Sequence, residues 1–481
     1  MIRKQKSIKK NIVMNVILNV SNFIFPLITY SYVARVILPI GTGKVAFANS
    51  VLSYFLSIAS LGIPAYGRRE CAKIRDDKKR LSHLVQELLI INIGTTLVAY
   101  ILLCGMVIFV PKLYSYKELF VIMSSNILLT TLGMEWLYQA IEEYTYITVR
   151  SLFFKSISII LTLVLIRTEE DYIWYGFLSV FTTSASYILN LWNVRKYISF
   201  KKMETYSLKK HIKPILTMFS ASVIISIYSN LDISMLGIIC NEEEVGLYSA
   251  ALKIKNLLAS VSISMTTVLI PRISYYIECK LKRKVRELLL ISLRLLLIIT
   301  IPIAIYIFIF STNVLHFLVG EEYVQAADSL RILIICIIPM VLTNLYGNLI
   351  LIPYNQEKRY SQSVFIGMWI NIILNTMLIP VLGAVGAAIG TLITECWNVF
   401  WMGKGVKGER KYILANIKWN AYIVSITSAT ICSCIIYCFI KDLNNMSILM
   451  VTAIVYFGVL YIIMLLMKEK LVIGIVKKIK Q

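Results

Sequence analysis

Long apolar stretches separated by short polar segments fill almost the whole chain. About fourteen such stretches, each about 20 residues long, follow one another. A bilayer core about 30 Å thick needs about 20 apolar residues per helix. The pattern predicts an all-α integral membrane protein with about 14 transmembrane helices and no separate soluble domain. The stretches are 12–33, 45–63, 85–110, 118–138, 147–166, 172–192, 214–239, 247–270, 288–310, 329–352, 362–381, 387–402, 419–440 and 447–467.

Positive charge is concentrated in every second polar segment. Of the 49 Lys and Arg residues, 39 fall in alternate segments beginning with the N-terminus, Arg150 and Lys155 among them, and six fall in the other loops. Cytoplasmic loops carry an excess of Lys and Arg, so both termini are predicted to be cytoplasmic. The net charge of +23 then reflects topology and contact with anionic lipids, and not nucleic acid binding.

The sequence indicates no metal site, no cofactor and no enzyme active site. Its nine cysteines lack paired spacing and its three histidines are far apart, which argues against a disulfide framework or a metal centre. A Walker A pattern is absent, which excludes an intrinsic ATPase of that type. No large loop carries an acidic pair that would hold a metal and a sugar donor, which disfavours a glycosyltransferase.

The chain contains an internal duplication. Gly43 opens the second apolar stretch and Gly246 opens the eighth, and each stretch ends at a proline before a basic loop. Each repeat has an even number of helices, so both enter the membrane with the same polarity, as in parallel-repeat transporters with a pseudo-two-fold axis. We therefore predict a six-helix lobe over 1–210, a second over 211–404, and two extra helices with a basic cytoplasmic tail over 405–481.

Several predicted helices carry polar side chains on one face, at steps of three and four residues. Lipid would leave these groups unsatisfied, so they face each other or water. Hydrogen bonding within a packed bundle would explain a few such faces, whereas matching faces in both repeats favour a hydrated central cavity. The polar residues that we assign to this cavity are Asn19, Asn22, Asn49, Ser53, Ser249 and Asn256.

Ionisable residues within the predicted helices sharpen this hypothesis, because charges at membrane depth are costly and usually mark a pathway. We assign Asp232, Lys253 and Glu395 to the cavity. Glu135, near the inner end of its helix, fits the cavity and the membrane interface equally well. Lys255 lies two residues beyond Lys253, about 200° around the helix, so the two cannot share a face.

Six short motifs occur in order between about residues 11 and 402. They include ARVILP at 34–39, SLGIPAYGRRE at 60–70, EWLYQ at 135–139, NLD at 230–232 with MLG at 235–237 leading to VGLYSAALKI at 245–254, GEEY at 320–323 and GAVGAA at 383–388. Together they resemble the polysaccharide-repeat flippases, the Wzx-type branch of the multidrug/oligosaccharidyl-lipid/polysaccharide (MOP) exporter superfamily. The chain departs from the family pattern at Leu38, where a Gly is usual, and at Thr42, where an aromatic residue is usual.

The resemblance implies a flippase that moves undecaprenyl-pyrophosphate-linked oligosaccharide repeat units from the inner to the outer leaflet of the bacterial cytoplasmic membrane. It implies two six-helix lobes around a cavity, and it matches Arg35, Asp232 and Lys253 to charged positions of the family. Expected partners are membrane lipids, H⁺ or Na⁺ as a coupling ion, and polysaccharide polymerase and assembly proteins. Pro26 is the expected hinge for alternating access, because proline removes a helical hydrogen bond.

Three alternatives remain open at this point. A drug or cation antiporter of the same superfamily should favour a cavity dominated by carboxylates and aromatic residues, whereas both signs of charge occur here. A flippase for another prenyl-linked glycan, such as lipid II, would share the same features. A structural membrane protein would not need polar faces in both repeats.

Overall fold

The computed structural model describes residues 8–202, 205–267, 269–469 and 471–473. These residues are almost entirely helical and contain no β-strand, which confirms the predicted all-α class. The helices are α1 (Ile8–Ser60), α2 (Ile63–Lys73), α3 (Lys78–Phe109), α4 (Pro111–Tyr114), α5 (Lys117–Gly133), α6 (Glu135–Ala140), α7 (Tyr144–Leu165), α8 (Tyr172–Val180), α9 (Tyr187–Asn193), α10 (Lys209–Ile239), α11 (Glu242–Thr267), α12 (Ile270–Glu278), α13 (Lys282–Ile309), α14 (Ser311–Leu318), α15 (Ala327–Ile335), α16 (Ile337–Tyr346), α17 (Glu357–Gly405), α18 (Lys407–Ala415), α19 (Trp419–Ile440) and α20 (Asn445–Leu466).

Ten helical segments within the described ranges are long and apolar enough to cross a membrane. Two of them, Val13–Lys73 and Glu357–Gly405, are 61 and 49 residues long, at least twice the length that one span requires. The sixth predicted stretch is divided into α8 and α9 by a π-helical turn at Phe181–Ala185, and the eighth forms the more polar α11. The membrane class is confirmed, and the count of 14 crossings stays a prediction.

The loops predicted after the first and the eleventh stretches are helical except at one residue each. Leu38 in α1 has φ 62° and ψ 176°, and Gly383 in α17 has φ 52° and ψ −129°. Pro39 follows Leu38, and proline suits the first turn of a helix because its missing N–H is not needed there. Pro26 lies inside a stretch of α1 that stays helical, so its role as a hinge stays a prediction.

The chain divides into two compact units, Met1–Gly246 and Leu247–Gln481. The first unit includes α10, because α10 packs along α1. The hydroxyls of Tyr54 on α1 and Ser234 on α10 are 2.6 Å apart, and the Ser234 hydroxyl donates to Ser50 Oγ at 3.3 Å. The predicted lobe boundaries at residues 210 and 404 rest on repeat and charge patterns, and they stay predictions.

The two glycines that mark the duplication lie close together in the first unit. A Cβ atom on Gly43 would lie 1.8 Å from the carbonyl oxygen of Glu242, and one on Gly246 would lie 2.0 Å from that of Pro39. Any side chain would therefore push these backbones apart, which explains why glycine occupies both positions. The spacing in the sequence identified the two glycines, and the structure shows that their backbones meet where α1 packs against the start of α11.

Candidate functional site

The first half of α1 carries an exposed polar face. Asn15, Asn19 and Asn22 are all exposed on it, as the stripe in the sequence predicts. Beyond the break at Leu38, Asn49 is exposed and Ser53 is partly exposed. A substrate with hydroxyl groups would find amide donors and acceptors along this face.

Lys155 lies directly behind this face. It sits in the middle of α7, and only 5% of it is exposed. Its ammonium group donates to Ser21 Oγ at 2.9 Å and to the side-chain oxygen of Asn22. Both partners are neutral, and the carboxylate of Glu135 attracts the ammonium group from a greater distance. A buried ammonium group within a membrane helix is costly and indicates a functional role.

Arg150, one and a half turns before Lys155 on α7, forms a second buried charged contact. Its guanidinium donates to Glu135 Oε2 at 2.9 Å and to the side-chain oxygen of Asn190. The rings of Tyr146 and Tyr187 lie 5.6 and 5.2 Å from the guanidinium carbon, within the range of cation–π attraction. The structure thus gives Glu135 a partner that the sequence did not indicate.

The charge count of the sequence includes Arg150 and Lys155 among the cytoplasmic charges. In the structure both side chains of α7 are buried, Arg150 against Asn190 of α9 and Lys155 against Ser21 of α1, and the side of the membrane on which they lie stays a prediction. Their removal from the cytoplasmic total leaves the strong asymmetry intact. The sequence could have indicated the burial of Lys155, because this residue lies eight residues into the predicted span 147–166, or about 12 Å along a helix axis.

Arg35 and Asp232, which the family resemblance selected, lie on two helices of the first unit. Arg35 is exposed on α1, and Asp232 is half-buried on α10. Asp232 precedes Ser234 by two residues, and Ser234 points toward α1. The carboxylate of Asp232 lies within electrostatic reach of Tyr54, which is part of that contact. A role for either residue in binding stays a prediction.

On α11, Lys253 and Lys255 lie on different faces of the helix, as the sequence predicts. Lys253 and Asn256 are exposed, whereas Lys255 is only 8% exposed. Ser249, on the same predicted polar face, is 3% exposed, so its side chain belongs to the packed interior of this structure. The exposed part of the face therefore begins at Lys253.

Glu395 lies in a buried polar cluster formed by the two arms of α17. Ser363 on the first arm donates to Asn398 Oδ1 on the second at 2.9 Å, which shows that the arms run back along each other. Asn375 donates to Asn371 Oδ1 at 3.1 Å within the first arm. Glu395 is 7% exposed, so this predicted cavity residue is enclosed in the packed second unit.

Comparison with known families identifies this arrangement. The model of the family described as "Polysaccharide biosynthesis protein" matches residues 8–277, more than half of the chain. The chain belongs to this family. The MatE family model also matches residues 217–377. Both matches confirm the resemblance to the polysaccharide flippases of the MOP superfamily.

Individual relatives agree with this family. An Escherichia coli (strain K12) protein named "Putative O-antigen transporter" is 23% identical over 394 residues, which are 81% of this chain and 94% of that protein. A Haloferax volcanii protein named "Probable low-salt glycan biosynthesis flippase Agl15" is 22% identical over 226 residues, 46% of this chain and 47% of that protein.

A solved structure shares the fold over nearly the whole chain. The structure titled "Lipid II flippase MurJ, inward closed conformation" has a TM-score of 0.68 and 15% identity, and the match covers 93% of this chain and 99% of that chain. At this identity the similarity shows the fold alone. The fold is that of a multi-pass membrane transporter, which confirms the predicted class.

Proposed function

We propose that this protein is a flippase that moves undecaprenyl-pyrophosphate-linked oligosaccharide repeat units from the inner to the outer leaflet of a bacterial cytoplasmic membrane. Family membership and the names of the relatives support transport of a lipid-linked glycan. The observation that carries the proposal is the buried ammonium group of Lys155, directly behind the exposed Asn22 of α1.

A pyrophosphate group explains why such a charge is kept. An anion of this kind cannot cross lipid without compensation, because burying an unpaired charge is prohibitive. Lys155 offers a charge-assisted donor, and such hydrogen bonds are stronger than neutral ones. The amides of Asn15, Asn19 and Asn22 supply donors and acceptors for sugar hydroxyls.

In the second unit we assign the corresponding contacts to Lys253 and Asn256, which are both exposed on α11. Asp232 either orients a cationic group or takes up a coupling proton, and Na⁺ is the alternative coupling ion. The polyprenyl tail stays in lipid throughout. Polymerase and assembly proteins are the proposed partners that receive the flipped unit.

The test is polymer display in a bacterial strain that lacks its own flippase for the same repeat unit. Lys155→Met should abolish display, because the apolar side chain fills the same space without a charge. Lys155→Arg should retain part of it, since the charge remains while the geometry changes. Membrane levels of each variant are checked by immunoblot.

Lys441→Met is the matched control, because Lys441 is exposed and lies far along the chain from α1 and α7. It should display polymer at the parental level. Full display by Lys155→Met at parental membrane levels would remove this lysine from the mechanism. Loss of display in Lys253→Ala as well would support the proposed substrate contact of Lys253 in the second unit.

The proposal also places both termini in the cytoplasm, on the strength of the charge asymmetry. In a variant whose nine cysteines are replaced by serine or alanine, single cysteines are introduced at Lys117 or Lys79, both exposed positions. An impermeant thiol reagent applied to intact cells should label the cysteine at 117 and not the one at 79. The opposite labelling pattern would reverse the orientation.

A further inference from the structure

A polar cavity of about 270 Å³ lies in the first unit, and its lining includes no residue of α7. It is formed by α2, the first turns of α3 and the start of α10. The segments 64–80 and 195–213 that flank it belong to the two most basic predicted cytoplasmic loops, with seven Lys and Arg residues each. The proposed transport mechanism does not use this cavity.

The floor of the cavity is a fully hydrogen-bonded acid. Glu87 is 1% exposed, and its carboxylate accepts from the backbone N–H of Ser207 at 2.6 Å, from Lys210 Nζ at 2.9 Å and from His211 Nε2 at 2.9 Å. The other ring nitrogen of His211 lies 2.8 Å from the Tyr66 hydroxyl. This carboxylate is neutralised and rigidly held, so it does not repel an incoming anion strongly.

The rim carries cations that are held only weakly. Lys73 pairs with Glu70 at 2.9 Å and Arg80 pairs with Asp77 at 3.2 Å, with 60% and 78% of the two basic side chains exposed. Exposed ion pairs of this kind contribute little, so both cations can turn toward a better acceptor. His83 also lines the cavity and donates to the carbonyl oxygen of Thr205 at 2.8 Å when that nitrogen is protonated.

We propose that this cavity binds a phosphate group. Three cations line it, against the two acids Glu70 and Glu87, and Glu87 is compensated by Lys210 together with its bonds from Ser207 and His211. Lys73 and Arg80 are the other two cations, and they approach the space from α2 and α3, which suits an acceptor with several oxygens. The first backbone N–H groups of α3 are capped by Asp77, so the site depends on the side chains.

Two sources could supply such a group. One is the head group of an anionic phospholipid in the cytoplasmic leaflet, which attracts basic segments near the membrane. The other is a soluble phosphate. The inference does not rest on the proposed transport function, because binding is measured without any glycan substrate.

The experiment uses full-length protein in neutral detergent free of anionic lipid, titrated with inorganic phosphate at constant ionic strength. A parallel series uses phosphatidylcholine nanodiscs with increasing phosphatidylglycerol. The shift of the melting temperature gives the apparent affinity in both series. The variant K73Q/R80Q removes two rim charges, and K78Q/K79Q removes two exposed charges of the same loop that do not line the cavity.

We expect the apparent affinity to fall about tenfold in K73Q/R80Q and to stay at the parental value in K78Q/K79Q. A response to inorganic phosphate in detergent assigns the site to a soluble ion, and a response only to phosphatidylglycerol assigns it to a lipid head group. Equal losses in the two double variants would show a general effect of surface charge and overturn the site. The absence of any shift in both series for the parent protein would overturn it too.

Discussion

α1 and α17 are the two longest helices of the described chain, and each is interrupted at one residue, but they differ in what surrounds them. In the first unit, Ser21 and Asn22 of α1 hold the ammonium group of Lys155. In the second, α17 bonds to itself through neutral groups such as Ser363 and Asn398. Similar polar patterns in the sequence therefore bury an ammonium group beside α1, whereas the arms of α17 bury amides and hydroxyls together with the carboxyl group of Glu395.

This difference has an energetic consequence. Neutral buried hydrogen bonds add to stability, and leaving one partner unsatisfied is expensive. A buried charge with neutral partners opposes folding, because desolvation of the ion exceeds what such contacts return. The network in α17 is thus suited to holding a helical hairpin together, whereas Lys155 is suited to meeting an anion. Two substitutions test this contrast, and two more compare the breaks in α17 and α1.

The largest effect on stability is expected from Asn398→Ala in α17. Asn398 and Ser363 are 2% and 0% exposed, so the substitution leaves a buried hydroxyl without its acceptor. We expect a loss of about 1–3 kcal/mol, seen as a lower melting temperature in detergent. Asn256→Ala, at an exposed asparagine, should change stability by about 0.5 kcal/mol or less. Equal shifts for the two variants would contradict a stabilising role of the α17 network.

The break in α17 should tolerate only glycine. Gly383 has φ 52° and ψ −129°, a region that other residues enter at a cost of about 1–3 kcal/mol. Gly383→Ala should therefore lower the melting temperature. Gly94→Ala is the control, because a Cβ at this helical glycine meets no atom within 4 Å. It should raise stability by about 0.5–1 kcal/mol, and a decrease there would undermine the comparison.

The break in α1 should behave in the opposite way, because a leucine occupies it. Leu38 has φ 62° and ψ 176°, where only glycine is free of strain. Leu38→Gly should relieve this strain and stabilise the protein by about 1 kcal/mol net. Leu56→Gly, within the helical part of α1, should instead destabilise it. A destabilised Leu38→Gly variant would mean that packing of the leucine outweighs the backbone strain.

The smallest effect on stability is expected from Lys155→Met. Apolar replacement of a buried ion is often neutral or stabilising. The free energy of unfolding should therefore fall by no more than about 1 kcal/mol, or rise. Transport should nevertheless be lost. Lys155→Ala should be less stable than Lys155→Met, since it also leaves a cavity. A strongly destabilised Lys155→Met variant would make the lysine a structural residue.

The sequence by itself determined the membrane class, the family resemblance and the exposed faces of α1 and α11. These features depend on local patterns. Steps of three and four residues place Asn19 and Asn22 on one face of a helix wherever that helix packs, and a two-residue step separates Lys253 from Lys255. The unusual residue at 38 was also visible as a departure from the family pattern, although its strained backbone was not.

Tertiary structure alone decided which charges are buried and what holds them. Asn22 and Lys155 are 133 residues apart in the chain, and Glu87 and His211 are 124 residues apart. The burial of Ser249 and Glu395 was likewise invisible in the sequence. Helical periodicity gives the direction in which a side chain leaves its own helix. Whether that side chain is buried, and which group it pairs with, depends on which other helix packs on that side.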